Sequence, residues 1–323
     1  NHCLDSIVSE SWLLTFYNPK EINSLYMWIS ADSTVLIDNL VTTIYDQCQN
    51  ANHLQQPNTI NKPTIENSFL NNRNVIKFDG INDFLKVEFS SDILQNYTVI
   101  SVHDILSTGL RYVYDGFQGF RSSRFNGNKH EIRFDGVAFG YNKVVPNSYF
   151  ISTNIFSTPN AVMYENNTEK ISGSSPVGTL SGLTLGGYYQ TVSNFFHGSI
   201  AELMIFDTVL SPTEMDLVHQ YLRYKYAPPV NLWYDITIPY GFADTTITTA
   251  EKPWFTSYQW STGENDTLPT LTVTEPGTYA VTVTDIFGFE STDSLRVVYP
   301  EFTIPANTTL CLGDTLCWNL DAK

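Results

Sequence analysis

The stretch GSIAELMIFDTVLSPTEMDLVHQYLRYKYAPP, residues 198–229, decides the fold. Its first nine residues read as a strand, the last of the β-rich block before them. Ser211, Pro212 and Glu214 then stand as N-cap, first helical residue and the far half of a capping box. Met215, Val218 and Leu222 repeat at i, i+3, i+7, which predicts a short helix with one apolar face. Pro228 and Pro229 stop it, since neither has an N–H and each disfavours helix in the residue before it. Almost everything upstream reads as strand. A single well-capped helix at the end of a β-rich segment, followed by two prolines, marks the close of a domain.

Working outward, the text before the helix is a series of short β-branched and aromatic runs. LYMWISAD, NVIKFDG, FLKVEFS, YTVISVHDI, RYVYDGF, HEIRFDG, AVMYENN and LTLGGYY are separated by Gly, Asn, Asp and Pro at roughly ten-residue intervals. That spacing predicts an all-β jelly-roll sandwich over 25–227, preceded by an N-terminal extension, 1–24. After Pro229 the texture changes. TSYQWSTGE, TLTVTEPGTYAVTVTD and DSLRVVY predict a small Ig-like β-sandwich over 228–298, with Trp260 as its core tryptophan. ITIPYGFADTT, from 236, is echoed by NTTLCLGDTL, from 307, an internal repeat with a period near 70 residues. Residues 299–323 therefore read as the start of a second such unit, and the chain is expected to be a piece of a longer, secreted protein.

Bulk composition narrows the functions. There are 17 Lys+Arg against 33 Asp+Glu, a net charge of −16, which opposes nucleic acid and anionic membrane surfaces as partners. No run of 18 apolar residues exists to insert in a membrane. The four cysteines form no CxxC pair, so structural thiols or disulfides fit better than zinc. Catalytic patterns are also missing. There is no Glu-x-Asp-x-x-Glu on a strand, no Gly-x-Ser-x-Gly elbow, no phosphate loop and no His-x-x-x-His pair. Glu165 and Glu169 lie in a predicted hairpin and are weak candidates for acid–base work. No catalytic residue is assigned.

Two loops suit a glycan instead. RYVYDGFQGFRSSRFNGN, 111–128, offers Tyr112, Phe117, Phe120, Arg121 and Arg124, rings mixed with forked donors. Tyr188 and Tyr189 precede a polar stretch and form the second candidate. The competing reading makes these rings core, as most aromatics in a sandwich are. Three aromatic-Asp-Gly triplets, at Asp79, Asp115 and Asp135, read first as hairpin turns. Asp79 with Asn82, Asp83 and, from an earlier loop, Asp46 makes an oxygen set suited to Ca2+.

Three segments of 25–227 resemble the concanavalin A-like, laminin-G-like domains of secreted Bacteroidetes proteins. They are LYMWISADST…VTTIYDQCQNANHL, NVIKFDGINDFLKV, and the opening stretch with its Gly-x-Ile-Ala-Glu strand and closing Tyr-Leu-x-x-Lys-Tyr helix. The family's Ser-Gly-Asn-Gly-Asn loop reads Cys48-Gln49-Asn50-Ala51-Asn52 here, a departure that puts a site on that loop in doubt. Cys48 is then a candidate to pair with Cys3. Residues 230–298 resemble the Ig-like or polycystic-kidney-disease-like repeats of large Bacteroidetes adhesins, with Tyr240 and Phe289 where those repeats carry cysteines. In the next copy Cys311 returns to that place, and Cys317 aligns with a core position. Asp-Ser/Thr-aliphatic triplets resemble the O-glycosylation acceptors of exported proteins of that phylum. The acceptors would be Ser6, Ser33, Thr208, Thr245, Thr267, Ser294 and Thr315, although Asp-Thr is also good turn chemistry.

The resemblance implies a non-enzymatic adhesin segment, secreted or at the cell surface. A lectin-like domain would be displayed on Ig-like spacers, bind glycans and be exported by the type IX secretion machinery. The alternatives are an accessory module of a polysaccharide-degrading enzyme and a purely structural domain of a surface filament.

Overall fold

The computed structural model describes residues 18–299 other than 69, 118–120, 145–146, 190–191, 240–241 and 264–266. The chain divides into two compact units, Asn1–Tyr226 and Ala227–Lys323. The architecture is all-β with one helix. In the first unit the strands are β1 Leu25–Ser30, β2 Thr34–Ile37, β3 Leu40–Ile44, β4 Leu54–Gln55, β5 Thr64–Asn67 and β6 Asn74–Asp79. They continue as β7 Leu85–Leu94, β8 Tyr97–Ile105, β9 Leu110–Gly116, β10 Ser122–Asn126, β11 Lys129–Phe134 and β12 Val137–Asn142. The last are β13 Asn147–Phe156, β14 Asn160–Glu165, β15 Thr168–Ser174, β16 Thr179–Leu185 and β17 His197–Phe206, before helix α1, Pro212–Tyr226.

Antiparallel pairing sorts these strands into two faces of a sandwich. One follows β1–β17–β8–β13–β14–β15, with β6 and β5 continuing beside the first residues of β17. The other follows β4–β7–β16–β9–β10–β11–β12. Strand β3 pairs with both β4 and β5 and so joins the two at one edge. Between them lies the core, which includes Met27, Ile29, Phe78, Leu85, Val99, Tyr114, Ile132, Phe150, Leu185 and Leu203. Alternation explains the split. In β1, Met27 and Ile29 enter the core while Trp28 and Ser30 face the other way. Tight hairpins take residues able to hold positive φ: Asp38–Asn39 at +52° and +64°, and Asn166–Asn167 at +49° and +63°.

Helix α1 opens as its sequence predicts. The Ser211 hydroxyl accepts from the Glu214 N–H at 3.3 Å, and the Glu214 carboxylate accepts from the Ser211 N–H at 2.8 Å. Met215, Val218, His219, Leu222 and Tyr226 are buried. They cover the side of the β1–β17–β8–β13 sheet that faces away from the core, where His219 Nε2 lies 2.8 Å from the Thr153 hydroxyl. Each buried aliphatic side chain there stabilises by about 1.5–3 kcal/mol. With core on one side and helix on the other, β8 is buried at every residue, and apolar residues stand on both of its faces: Tyr97, Val99 and Ile105 on one, Ile100 and Val102 on the other.

In the second unit, β18 Ile236–Thr237 pairs parallel with β23 Glu290–Val298, which pairs with β22 Gly277–Asp285, which pairs with β20 Phe255–Trp260. A second sheet joins β19 Thr245–Thr248 to β21 Thr270–Val273. Both contribute to one core with Trp260 at its centre among Ile247, Leu271, Val281, Val283 and Val297. The Trp260 indole donates to the Leu268 carbonyl at 2.9 Å. Tyr279, near the start of β22, donates its hydroxyl back to the Glu275 carbonyl at 2.7 Å and fixes that corner.

Candidate functional site

The two candidate loops meet on one face. Strands β16, β9, β10 and β11 are in register at Thr184, Asp115, Ser122 and Arg133, so these four side chains form a row across the sheet. The neighbouring row, Leu185–Tyr114–Ser123–Ile132, points into the core, so the first row points outward. A shift in the β9–β10 register places Tyr112 opposite Arg124, and Arg124 opposite Glu131, on that same outer face.

The segment after β16 folds back over this row. It leaves through Gly186 at φ +83°, where an added Cβ would lie 2.3 Å from the Phe78 ring, so only glycine fits. It then sets the Tyr188 ring 5.1 Å from Tyr112 and the Tyr189 ring 4.0 Å from Phe117. The guanidinium of Arg133 lies over Tyr188 at 5.7 Å, and that of Arg124 over Tyr112 at 5.7 Å. Arg124 is held by the Tyr112 hydroxyl at 2.9 Å and by Glu131 in an ion pair at 2.9 Å. Lys86 reaches over Phe84 and Tyr189 at 5.3 and 5.4 Å. Tyr188, Tyr189, Phe117, Phe84 and Phe195 are all partly exposed. The result is a wet-edged aromatic floor with charges fixed around it.

Asp115 was the residue missed. Tyr-Asp-Gly reads as a turn, yet Asp115 sits inside β9 and is fully buried. Its Oδ2 accepts from the Tyr189 N–H at 3.0 Å. Burial pushes its carboxyl up to about 6, against the pull of the Tyr189 N–H and of Arg133. The only sequence signal was its place in a run, Arg111 to Tyr114, too strongly β-forming to hold a turn. Asp135–Gly136, in contrast, does make the β11–β12 hairpin, with Gly136 at φ +72°.

Other candidates go elsewhere. Arg121 is 1 % exposed, beneath the 176–178 backbone, donating to the Pro176 carbonyl at 3.0 Å and lying over the Phe134 ring at 5.2 Å. It is a buried structural cation and not part of an exposed platform, because β10 begins just after it and carries it inward. Phe120 lies outside the described residues. Asp46 is buried, and its carboxylate accepts from the backbone N–H groups of Trp28, Cys48 and Asn52 at 2.9, 3.0 and 2.9 Å. It closes its own loop, which keeps Ala51 at φ +52° where the resembling family has glycine. Asp79 accepts from Ile81 and Asn82 N–H, and Asp83 from Asp79 N–H at 2.9 Å. Burial raises the Asp83 carboxyl to about 7. Among the described residues no group of three His, Cys, Asp or Glu gathers as a metal site.

Thr208, Thr267 and Ser294 are exposed and Ser33 and Thr245 half-buried, while Ser6 and Thr315 lie outside the described residues. So do Cys3, Tyr240, Cys311 and Cys317. Cys48 is a free thiol whose pKa burial and the neighbouring Asp46 push up to about 12. At pH 8 it is expected to resist iodoacetamide in the folded protein and to react at least tenfold faster in urea, read by peptide mapping of the Cys48 peptide. Equal rates in both states would show the thiol to be open.

No sequence-family profile and no curated protein matches the chain. Among solved structures it is similar to Trypanosoma rangeli sialidase in complex with sialic acid, at 10 % identity and TM-score 0.46 over 62 % of this chain and 33 % of that one. The chain thus spans about a third of the sialidase's length. It is similar to the botulinum neurotoxin serotype D binding domain, at 11 % identity and TM-score 0.49, over 81 % and 73 % of the two chains. A third is domain 4 of AbnA, an extracellular arabinanase of Geobacillus stearothermophilus, in complex with arabinotriose, at 17 % identity and TM-score 0.45, over 60 % and 97 %.

Proposed function

We propose that the first unit is a non-catalytic glycan-binding module and that the chain is a segment of a secreted or cell-surface adhesin. One observation carries this reading: Tyr188 lies against both Tyr112 and Arg133 on the outward side of a broad sheet. A half-exposed ring offers a flat apolar surface to the C–H face of a sugar, and fixed polar groups beside it take the hydroxyls. In the second unit the β18–β23–β22–β20 order, the core Trp260 and the Tyr279 corner support the Ig-like reading, and with it the role of spacer. Export by a type IX route and O-glycosylation at the exposed Asp-Ser/Thr sites belong to the same reading.

The test is a glycan array probed with the full chain, with Ca2+ and with chelator, beside Tyr188→Ala. The expected result is binding that survives chelation and falls at least tenfold in the variant. Binding abolished by chelation would move the site to Asp79 and Asp83 and give it calcium. No binding by folded protein would overturn the reading in favour of a structural domain of a surface assembly.

A further inference from the structure

One cation on the ring face is paired with no carboxylate. Lys86 stands on β7, directly cross-strand from Gln55 of β4 and Thr184 of β16, so it points to the same outer side as the tyrosines. Its ammonium lies 5.3 Å from the Phe84 ring and 5.4 Å from the Tyr189 ring. Among the described residues it makes no ion pair and no hydrogen bond. The other cations of the face are engaged: Arg124 pairs with Glu131, and Arg133 faces Asp115. Lys86, Phe84, Tyr189 and Phe195 are all partly exposed and Gln55 is exposed, so this end of the face is open to solvent. The Phe84 and Phe195 rings lie 6.3 Å apart beside the ammonium. Two things set Lys86 apart from an ordinary surface lysine. The rings already hold its flexible stem, so an incoming anion meets a charge that is preset and not one it must immobilise. Burial among the rings also strips water from the ammonium and lowers its pKa from the usual lysine value, with the field of Glu88 pulling the other way. An anion closing over it restores what burial took away. The chain's charge of −16 does not forbid this, because at physiological salt a charge is screened beyond about 8 Å and the near ones decide.

We infer that Lys86, cradled by Phe84 and Tyr189, is a subsite for the anionic group of an acidic sugar whose ring lies against Tyr188. This rests on the glycan-binding reading above and names the class of sugar. The anion accepts from the ammonium, and the Gln55 amide, on the neighbouring strand, is open to a hydroxyl of the same sugar. A lysine is a point charge with rotating donors and not a planar fork, so it suits a carboxylate and a sulfate alike. Glu88 lies two residues further along the same side of β7 and is exposed, so it opposes the anion at longer range. Its charge lowers the preference for an acidic sugar without touching the ring contacts.

The experiment titrates the full chain with neutral sugars and their acidic partners, followed by calorimetry and saturation-transfer NMR. The pairs are methyl glucoside with methyl glucuronide, and lactose with 3′-sialyllactose and 3′-sulfolactose. The expected result is at least one acidic sugar bound fivefold or more tighter than its neutral partner at low salt, an advantage that shrinks as salt is raised. Gain from the glucuronide or the sialyl group assigns a carboxylate, and gain from sulfolactose alone assigns a sulfate; either supports the subsite. Lys86→Gln should abolish the advantage, Lys86→Arg should keep it and Glu88→Gln should raise it at least twofold, all three leaving the neutral sugar's affinity unchanged. Should Lys86→Gln fail to fold, Glu88→Gln decides, and an unchanged acidic preference there refutes the subsite. Equal binding of acidic and neutral partners, lost in Tyr188→Ala, would overturn it with the glycan reading intact. An acidic preference that survives Lys86→Gln would place the anion on another cation and overturn it as well. Binding of no sugar would overturn both.

Discussion

Replacing Glu202 with alanine is expected to destabilise the first unit by about 3–5 kcal/mol, the range for removing one partner of a buried charged network. Glu202 lies on β17 and is 1 % exposed. Its Oε1 accepts from the Trp28 indole at 2.5 Å and from the Tyr221 hydroxyl at 3.0 Å. Its Oε2 accepts from Lys225 at 2.7 Å and from the Tyr226 hydroxyl. Four donors from β1 and the last turns of α1 thus converge on one carboxylate, which ties the helix to the sheet. Alanine leaves the Trp28 indole N–H and the Tyr221 hydroxyl without this acceptor, and leaves Lys225 with Ser30 Oγ at 2.9 Å and Asp32 at 3.6 Å and Tyr226 with the Ala201 carbonyl at 3.3 Å. Each unsatisfied group costs about 1–3 kcal/mol. Glu202→Gln keeps an acceptor oxygen but loses the charge opposite Lys225, so it should fall between the two. Urea unfolding followed by far-UV circular dichroism measures both. A loss below about 1 kcal/mol for the alanine variant would mean that apolar burial under the helix, and not this network, holds it.

The second large effect is a pair of opposite pH dependences. His103 lies between the sheets, 3.1 Å from the Ser101 hydroxyl and 4.5 Å from the Phe150 ring, and burial lowers it to about 3. His219, under the helix, is lowered to about 4 by burial. Between the usual histidine value and these, the unfolded chain binds the extra protons, so stability is lost as pH falls below about 6.5. Asp115 and Asp104 are raised to about 6 by burial. There the folded state binds the extra protons, so stability is lost as pH rises from about 4 through 6. The two sets oppose each other and flatten the wild-type profile. Single variants expose them. His103→Leu should gain about 3 kcal/mol at pH 4.5 relative to pH 8, from two pH units at 1.36 kcal/mol each. Asp115→Asn should gain about 3 kcal/mol at pH 8 and little at pH 4, from a shift of about two units. Urea midpoints at the two pH values decide it, and parallel profiles for both variants and wild type would refute the assignment.

Local chemistry explains what was legible. The helix was readable because Ser211, Glu214 and the prolines act within a few residues of one another. The all-β class was readable because a period of two is written into each strand. The glycan candidates were half-readable: Tyr112, Phe117, Arg124, Tyr188 and Tyr189 do come together. Arg121, three residues before Arg124 in sequence, goes into the interior instead. Nothing in the loop's composition separates those two arginines. What separates them is that alternation along β10 puts Arg124 beside Ser122 on the outer face, while a one-residue shift in β9 brings Tyr112 opposite it.

The sequence by itself determined the class of the fold, the place and caps of its helix and two of its hairpins, β11–β12 and β14–β15, since these follow from propensity and periodicity over short spans. Only the tertiary structure decided which carboxylates were available. Asp46 turned inward to cap its own loop, and Asp115, written as a turn, became the buried floor of a sheet face. The physical reason is distance along the chain. Asp115 owes its surroundings to Thr184, Tyr189 and Arg133, which cross-strand pairing and a folded-back segment bring to it from up to 74 residues away. No local pattern records a contact that exists only once the strands have paired.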